Sequence, residues 1–327
     1  MKQIFSYLFI YLSFTTFSQE LSVDWGVCFG DSGNYSISDC IEVLPNNNII
    51  TAVIVTSNNE AYTNFHGSSD PWVLILDKSG NILQERCFGG SDAEYFGDIE
   101  VTSEYIYFIG QTHSTDGDVQ SEPIGGYGNL WVVKTDLDLN IIWERQYGCL
   151  GTQDFETAKI TPEGGLILLM DFFNQGGGDV SEYFGETDIW VCEIDANGDI
   201  IWEKTLGNSY ENYARNDLIN SNNNIIVAGA TVSSGGMIQC TSYGGMDYWA
   251  AEIDRDINDI IWQGCYGGSN NETSIDIIED FPGYIITGVT LSVDGNISFN
   301  HGGLEAWLIK IGVDGQLLWD RCFGSNI

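Results

Sequence analysis

The sequence predicts an all-β chain built from one supersecondary unit repeated five times, and three observations predict it. A tryptophan within an apolar run recurs at Trp72, Trp131, Trp190, Trp249 and Trp307, in steps of 59, 59, 59 and 58 residues. A glycine behind an aromatic residue or Leu recurs at Gly30, Gly89, Gly148, Gly207, Gly267 and Gly324, in steps of 59, 59, 59, 60 and 57. The tryptophan runs alternate with period two, as in Trp72, Leu74, Leu76 and Trp190, Cys192, Ile194, which is the strand signature. So regular a period means that the fold must be read from the unit.

The chain opens on Met1-Lys2-Gln3, runs through an apolar stretch from Ile4 to about Phe14 and reaches Thr16-Phe17-Ser18. One positive charge, a short apolar run and small residues before a break describe a secretory signal peptide over residues 1–18. The run is shorter than the roughly 20 residues a membrane span needs. The first cysteine is Cys28, so a lipid anchor at the cleavage site is not expected. The mature chain, residues 19–327, is then exported, without membrane insertion, as a single domain.

Within it, the copy from Ile142 to Gly207 shows the unit. Asp154 to Ile160 is a half-polar run, and Pro162-Glu163-Gly164-Gly165 is a turn. Leu166 to Phe172 is apolar and leads into the glycine-rich loop Gln175 to Asp179. Trp190 to Ile194, the turn Asp195-Ala196-Asn197-Gly198 and the run Ile200 to Leu206 complete it. These are four strands bounded by turn residues, the last pair joined by a tight hairpin. Five such sheets cannot each bury two faces alone, so they stack radially, which predicts a five-bladed β-propeller of four-stranded antiparallel blades. The fourth strand has a sixth copy, Trp25 to Gly30, ahead of the first full repeat. That predicts an extra N-terminal strand at the closure, in the same blade as the last one, with Cys28 and Cys322 close enough to bridge.

The pattern G-x-x-D-x-W-V-x-K-x-D-x-x-G-x-I-x-W-x-x-x-x-G-G-S, met at Gly67 to Ser91, Gly126 to Gly151, Gly185 to Ser209, Gly244 to Ser269 and Gly302 to Ser325, resembles the secreted β-propeller repeats of Bacteroidota. More distantly the unit resembles kelch-type blades. The resemblance covers nearly the whole mature chain and implies the architecture, with no common reaction attached. Members of that group often carry a C-terminal type IX sorting domain, and attachment by that route is not expected for a chain that stops three residues after Gly324.

The formal charge is −36, or −37 without Lys2. A surface so acidic repels phosphate backbones and anionic headgroups, which makes nucleic acid and membrane surfaces poor partners, and neither nucleic acid binding nor membrane insertion is expected. Eight cysteines in an exported chain permit disulfides. Cys28, Cys87, Cys265 and Cys322 share one repeat position and, apart from the Cys28–Cys322 pair, are not expected to pair with one another. No C-x-x-C occurs, and His66, His113 and His301 are not clustered with cysteine, so a zinc site is not expected.

Three sets of residues are candidates for chemistry. The first is the polar residue two before each marker tryptophan, namely Asp70, Asn129, Asp188, Asp247 and Glu305. With Trp72, Trp131, Trp190, Trp249 and Trp307 it would form one shallow ligand pocket per blade, the carboxylate holding a sugar hydroxyl and the ring its face. Strand-entry carboxylates that cap backbone N–H groups, beside tryptophans that pack between blades, would leave the same pattern. The second set is Asp116 and Asp118 in Ser114-Thr115-Asp116-Gly117-Asp118, a fragment of a calcium loop without the full ligand series, which a plain tight turn also explains. The third is the carboxylates of the first strands, Asp39, Asp98, Glu156, Asp217 and Asp276, which would converge at the axial mouth. There they would bind a cation or act as acid and base on a glycoside. Repeat lengths of 57 to 60 leave no room for a long catalytic loop, and G-x-S-x-G, H-E-x-x-H and nucleotide-binding glycine patterns are lacking. The reading is a non-catalytic binding or scaffolding module with a glycan or an envelope or extracellular protein as ligand and no cofactor beyond a possible calcium ion. The alternative is a propeller glycosidase working through its axial carboxylates.

Overall fold

The computed structural model of the chain describes residues 26, 38–56 and 62–325, which hold twenty β-strands and no α-helix. The segment read as a signal peptide, Cys28 and, apart from Gly26, the run from Trp25 to Gly30 expected to form an N-terminal strand at the closure lie outside the described residues. Blade 1 comprises β1 (Ser38–Val43), β2 (Ile49–Val55), β3 (Asp70–Leu76) and β4 (Ile82–Cys87). Blade 2 comprises β5 (Glu94–Val101), β6 (Tyr105–Thr112), β7 (Asn129–Asp136) and β8 (Ile141–Tyr147). Blade 3 comprises β9 (Thr152–Ile160), β10 (Leu166–Phe173), β11 (Thr187–Ile194) and β12 (Ile200–Leu206). Blade 4 comprises β13 (Asn212–Ile219), β14 (Ile225–Thr231), β15 (Asp247–Asp254) and β16 (Asp259–Tyr266). Blade 5 comprises β17 (Glu272–Glu279), β18 (Tyr284–Thr290), β19 (Glu305–Ile311) and β20 (Leu317–Phe323). Each sheet is an antiparallel meander in chain order, so the chain is a five-bladed β-propeller.

The first strands lie side by side along the axis, and the fourth strands form the half-exposed rim. The third strands are buried along almost their whole length. Each of the four seams from blade 1 through blade 5 has its own hydrophobic cluster. Trp131 packs with Phe88, Phe96 and Phe108 between blades 1 and 2, and Trp190 with Ile109, Leu168 and Met170 between blades 2 and 3. Trp249 and Trp307 hold the same place at the next two seams.

The meander puts the 1–2 and 3–4 hairpins on one face and the longer 2–3 loops and blade-to-blade connections on the other. The 3–4 hairpins of blades 1 to 3 are closed by an aspartate at their first position: Asp77 Oδ1 accepts from the N–H groups of Ser79 and Asn81, and Asp136 and Asp195 repeat the arrangement. Both end strands of every blade are bulged. In the first strands the unpaired residue is Asp39, Gly97, Glu156, Arg215 or Ile275. In the fourth strands it is Leu83, Ile142, Ile201, Ile261 or Leu318, and all five are solvent-exposed.

One disulfide joins Cys240, in the loop after β14, to Cys265 on β16 within blade 4. The repeat position did not foretell this partner, because Cys240 belongs to a loop with no cysteine at that place in the other copies.

Candidate functional site

The five marker tryptophans are 0 to 5 % exposed, so no sugar reaches their faces; their place in a ligand pocket is corrected to a place in the seams for Trp131, Trp190, Trp249 and Trp307, and to packing within blade 1 against Tyr62 for Trp72. Their indole N–H groups are turned outward along the sheet. Trp72, Trp131 and Trp190 donate to Glu85, Glu144 and Glu203 at 3.0, 2.9 and 2.9 Å, and Trp249 and Trp307 to Gln263 and Asp320. These fourth-strand partners recur at thirteen or fourteen residues beyond each tryptophan, a signal present in the sequence beside the more conspicuous rings.

The marker acids are buried at the entry of each third strand. Asp70 accepts from the N–H of His66, Asp188 from Phe184 and Gly185, Asp247 from Tyr243, and Glu305 from His301. They close the loop that precedes them, the capping role that strand-entry carboxylates perform. In the three aspartates the second oxygen lies against the marker glycine of the same blade. A Cβ on Gly207 would overlap Asp188 Oδ1, and one on Gly267 would overlap Asp247 Oδ1, so the acid and the glycine recur together because they touch.

A second polar residue, missed in sequence, completes each described seam at the start of the next first strand: Glu94, Gln153, Asn212 and Glu272. Glu94 accepts from the N–H of Gly90, the hydroxyl of Thr112 and the N–H of Ser114, and Glu272 repeats the first two of these. The pairs differ in charge: Asp70 with Glu94 and Asp247 with Glu272 are acid with acid, whereas Asn129 with Gln153 is amide with amide, joined by a Gln153 Nε2 to Asn129 Oδ1 bond. Burial, then the Glu94 charge, pushes the Asp70 carboxyl up to about 6 against the opposing pull of His66. A raised acid folds best protonated, so its contribution is full below the unfolded value near 4 and is lost as pH rises through about 6. Asp70→Asn copies the chain's own amide seam. It is expected to raise the thermal midpoint by a few degrees at pH 7.5 and to give no gain at pH 4.5, measured by circular dichroism.

The calcium-loop candidates are engaged in holding blades together. Asp116 Oδ1 accepts from the Ser91 N–H at 2.7 Å, Ser114 Oγ from the Asp92 N–H, and Asp118 pairs with Arg86 at 2.8 Å. The relative at Ser292 to Asn296 grips Ser269 and Asn270 in the same way. The loop of one blade thus clasps the closing turn of the blade before it. Among the described residues no three His, Cys, Asp or Glu side chains converge as a metal site.

The axial carboxylates do not form a ring. Counted from the bulge that all five first strands share, Glu156 shares its position with Gly97 and Arg215, Asp98 with Thr157, Asn216 and Asp276, and Asp217 with Ile99 and Ala158. Asp39 lies at the bulge of β1, its side chain outside the described residues. Asp98 accepts from the Ala158 N–H at 3.0 Å, Glu156 pairs with Arg215 at 3.2 Å, and Asp276 accepts from Asn216 at 2.6 Å. Asp171, on β10, was not foreseen. It is 1 % exposed, accepts from the Ala214 N–H at 2.7 Å, and is held well above the usual carboxylate range by burial and then by Glu156. Asp217 is equally buried, and neither of its oxygens has a hydrogen-bond partner.

Open clefts occur elsewhere, on the long-loop face. One, of about 380 Å³, is lined by Ala93, Ser114, Thr115, Gly126, Tyr127 and Gly128, with Asp92, His113 and Asn129 beside them. The other, of about 700 Å³, is lined by Thr152, Phe173, Asn174, Gly185, Glu186 and Thr187, and reaches Glu211 and Tyr213 of the next blade. The first six residues of each are the same positions 59 residues apart. In the first cleft Tyr127 is 71 % exposed and stands edge-on to His113, with 4.7 Å between ring centroids.

No protein-family model matches the chain, and no curated protein does. Among solved structures it is similar to a mutant of Synechocystis apocarotenoid oxygenase, at 13 % identity over 88 % of this chain and 61 % of that one, with a TM-score of 0.48. It is similar to Kuenenia stuttgartiensis hydrazine synthase at 12 % identity over 84 % and 64 %, with a TM-score of 0.47. A protein of unknown function from Bacteroides caccae is similar at 12 % identity over 80 % and 92 %, with a TM-score of 0.32. The chain spans a little over three fifths of the length of the first two.

Proposed function

We propose that the chain is an exported, non-catalytic binding module of the Bacteroidota propeller-repeat type, and that it holds glycan in the cleft beside Tyr127. The observation that carries this reading is the exposed Tyr127 ring in an open cleft on the face where the loops are longest. An exposed tyrosine ring beside the imidazole of His113 and the carboxylate of Asp92 offers a sugar a flat apolar face and hydrogen-bonding groups at its edge. The Cys240–Cys265 bridge supports export, since disulfides persist in oxidising compartments. Against glycoside hydrolysis, each described axial carboxylate is paired with a protein group or buried out of reach.

Binding of the purified mature chain to a broad glycan array, with calcium and with chelator, tests the reading. Saturable binding without product release is expected, unchanged by chelator, and at least tenfold weaker in Tyr127→Ala. A blank array, release of reducing sugar, or a Tyr127→Ala variant that binds as well as the parent would each overturn it.

A further inference from the structure

The two equivalent clefts differ in charge, and the difference is concentrated at one seam. The residue two before the marker acid faces the residue one before the seam's second polar group, and across the four seams these two positions hold Ser68 with Ala93, Tyr127 with Thr152, Glu186 with Glu211, and Gly245 with Asn271. Blades 3 and 4 alone place two acids there. Thr187, next to Glu186, pairs with Glu211 in a parallel bridge, and both acids line the cleft. Asp154 adds a third carboxylate to the lining of the same cleft.

Aromatic rings complete the walls: Phe173, Tyr183 and Tyr213 line the cleft with the three acids. A ring face bordered by carboxylates attracts a cation through both its quadrupole and their charge. The chain already shows the preference on one of these rings, where the Arg215 guanidinium sits 5.3 Å from the centre of Tyr213. Arg215 does not neutralise the cleft, because its charge is engaged by Glu156 at 3.2 Å and Asp171 at 3.7 Å. No lysine or arginine lines the cleft. Carboxylates with no basic neighbour in the lining attract a cation.

We infer that this cleft is a second binding site, for the cationic side chain of a lysine- or arginine-rich polypeptide. A chain of net charge −36 draws such a partner from solution, and the acid-lined aromatic cleft fixes where it docks. The site is independent of the glycan cleft, sharing none of its lining residues.

The test is titration of the mature chain with fluorescein-labelled hexalysine at 150 mM salt, read by anisotropy. A surface this acidic binds polycations without any site, so the decisive comparison is between two variants that each lose two charges. Glu186→Gln with Glu211→Gln is expected to weaken binding at least tenfold. Glu104→Gln with Asp256→Asn, both exposed on the hairpin face, is expected to stay within twofold of the parent. Hexalysine acetylated on its side chains is expected not to bind. Equal weakening in the two variants, binding of the acetylated peptide, or displacement of hexalysine by millimolar calcium would overturn the inference. Tyr127→Ala, which tests the glycan cleft, is expected to leave hexalysine binding unchanged, so the failure of either reading is distinguishable from the failure of the other.

Discussion

Asp217→Asn is expected to make the propeller more stable at pH 8 while leaving its stability at pH 4 nearly unchanged. Asp217 lies on β13 next to the axis, with Lys159, Asp98 and Glu100 as its charged neighbours. Lys159 is already shared between Glu100 at 3.2 Å and Asp98 at 3.9 Å, so it offers Asp217 only part of a charge. Burial dominates and pushes the Asp217 carboxyl up to about 7. In the unfolded chain the group ionises near the ordinary value of 3.8. A raised acid contributes fully below that value, and its contribution is lost as pH climbs from about 4 to about 7. Three units correspond to about 4 kcal/mol as an upper figure. Denaturant unfolding of parent and variant across pH 4 to 8 measures the difference. Parallel curves would show that the carboxyl is ionised in the fold at no cost.

Trp190→Ala is expected to cost about 3–5 kcal/mol, the range for emptying a fully buried aromatic site. The ring fills the seam between blades 2 and 3 against Leu168, Met170 and Cys192, and its N–H holds Glu203. A blade has no second core to fall back on, since its sheet is buried only by its neighbours. Trp319, in the fourth strand of blade 5, is 39 % exposed, and Trp319→Ala is expected to cost less than about 1 kcal/mol. Unfolding followed by far-ultraviolet circular dichroism separates the two. Equal losses would mean that the blades unfold one at a time, with the seams contributing little.

The architecture was legible because the period was. Fifty-nine residues hold four strands with tight hairpins, and each predicted strand of the copy from Asp154 to Leu206 is found within a few residues of its expected ends. The site was far less legible. Trp190 and Asp188 recur because one fills a seam and the other lies against Gly207, and a residue kept for such contacts is written like one kept for a ligand. Glu156 and Asp98 looked equivalent by residue type, but they stand 58 residues apart where the period is 59, so the bulge that every first strand carries falls on Glu156 and one residue before Asp98. The clefts differ where the repeat breaks, at Tyr127, Glu186 and Glu211, and attention to what recurs passes over those residues. Glu94 and Glu272 sit at the start of half-polar strands, where a buried acid and an exposed one are indistinguishable until the seam closes on it.

The bulges at Leu83, Ile142, Ile201, Ile261 and Leu318 have a consequence beyond the single molecule. An open strand edge is a template, and five of them around one ring would invite lateral growth into fibres. Two residues set against one at the same height in every rim strand break the even spacing of donors and acceptors that a docking strand must match. Copies crowded at high density are therefore expected to meet rim to rim without knitting into a common sheet.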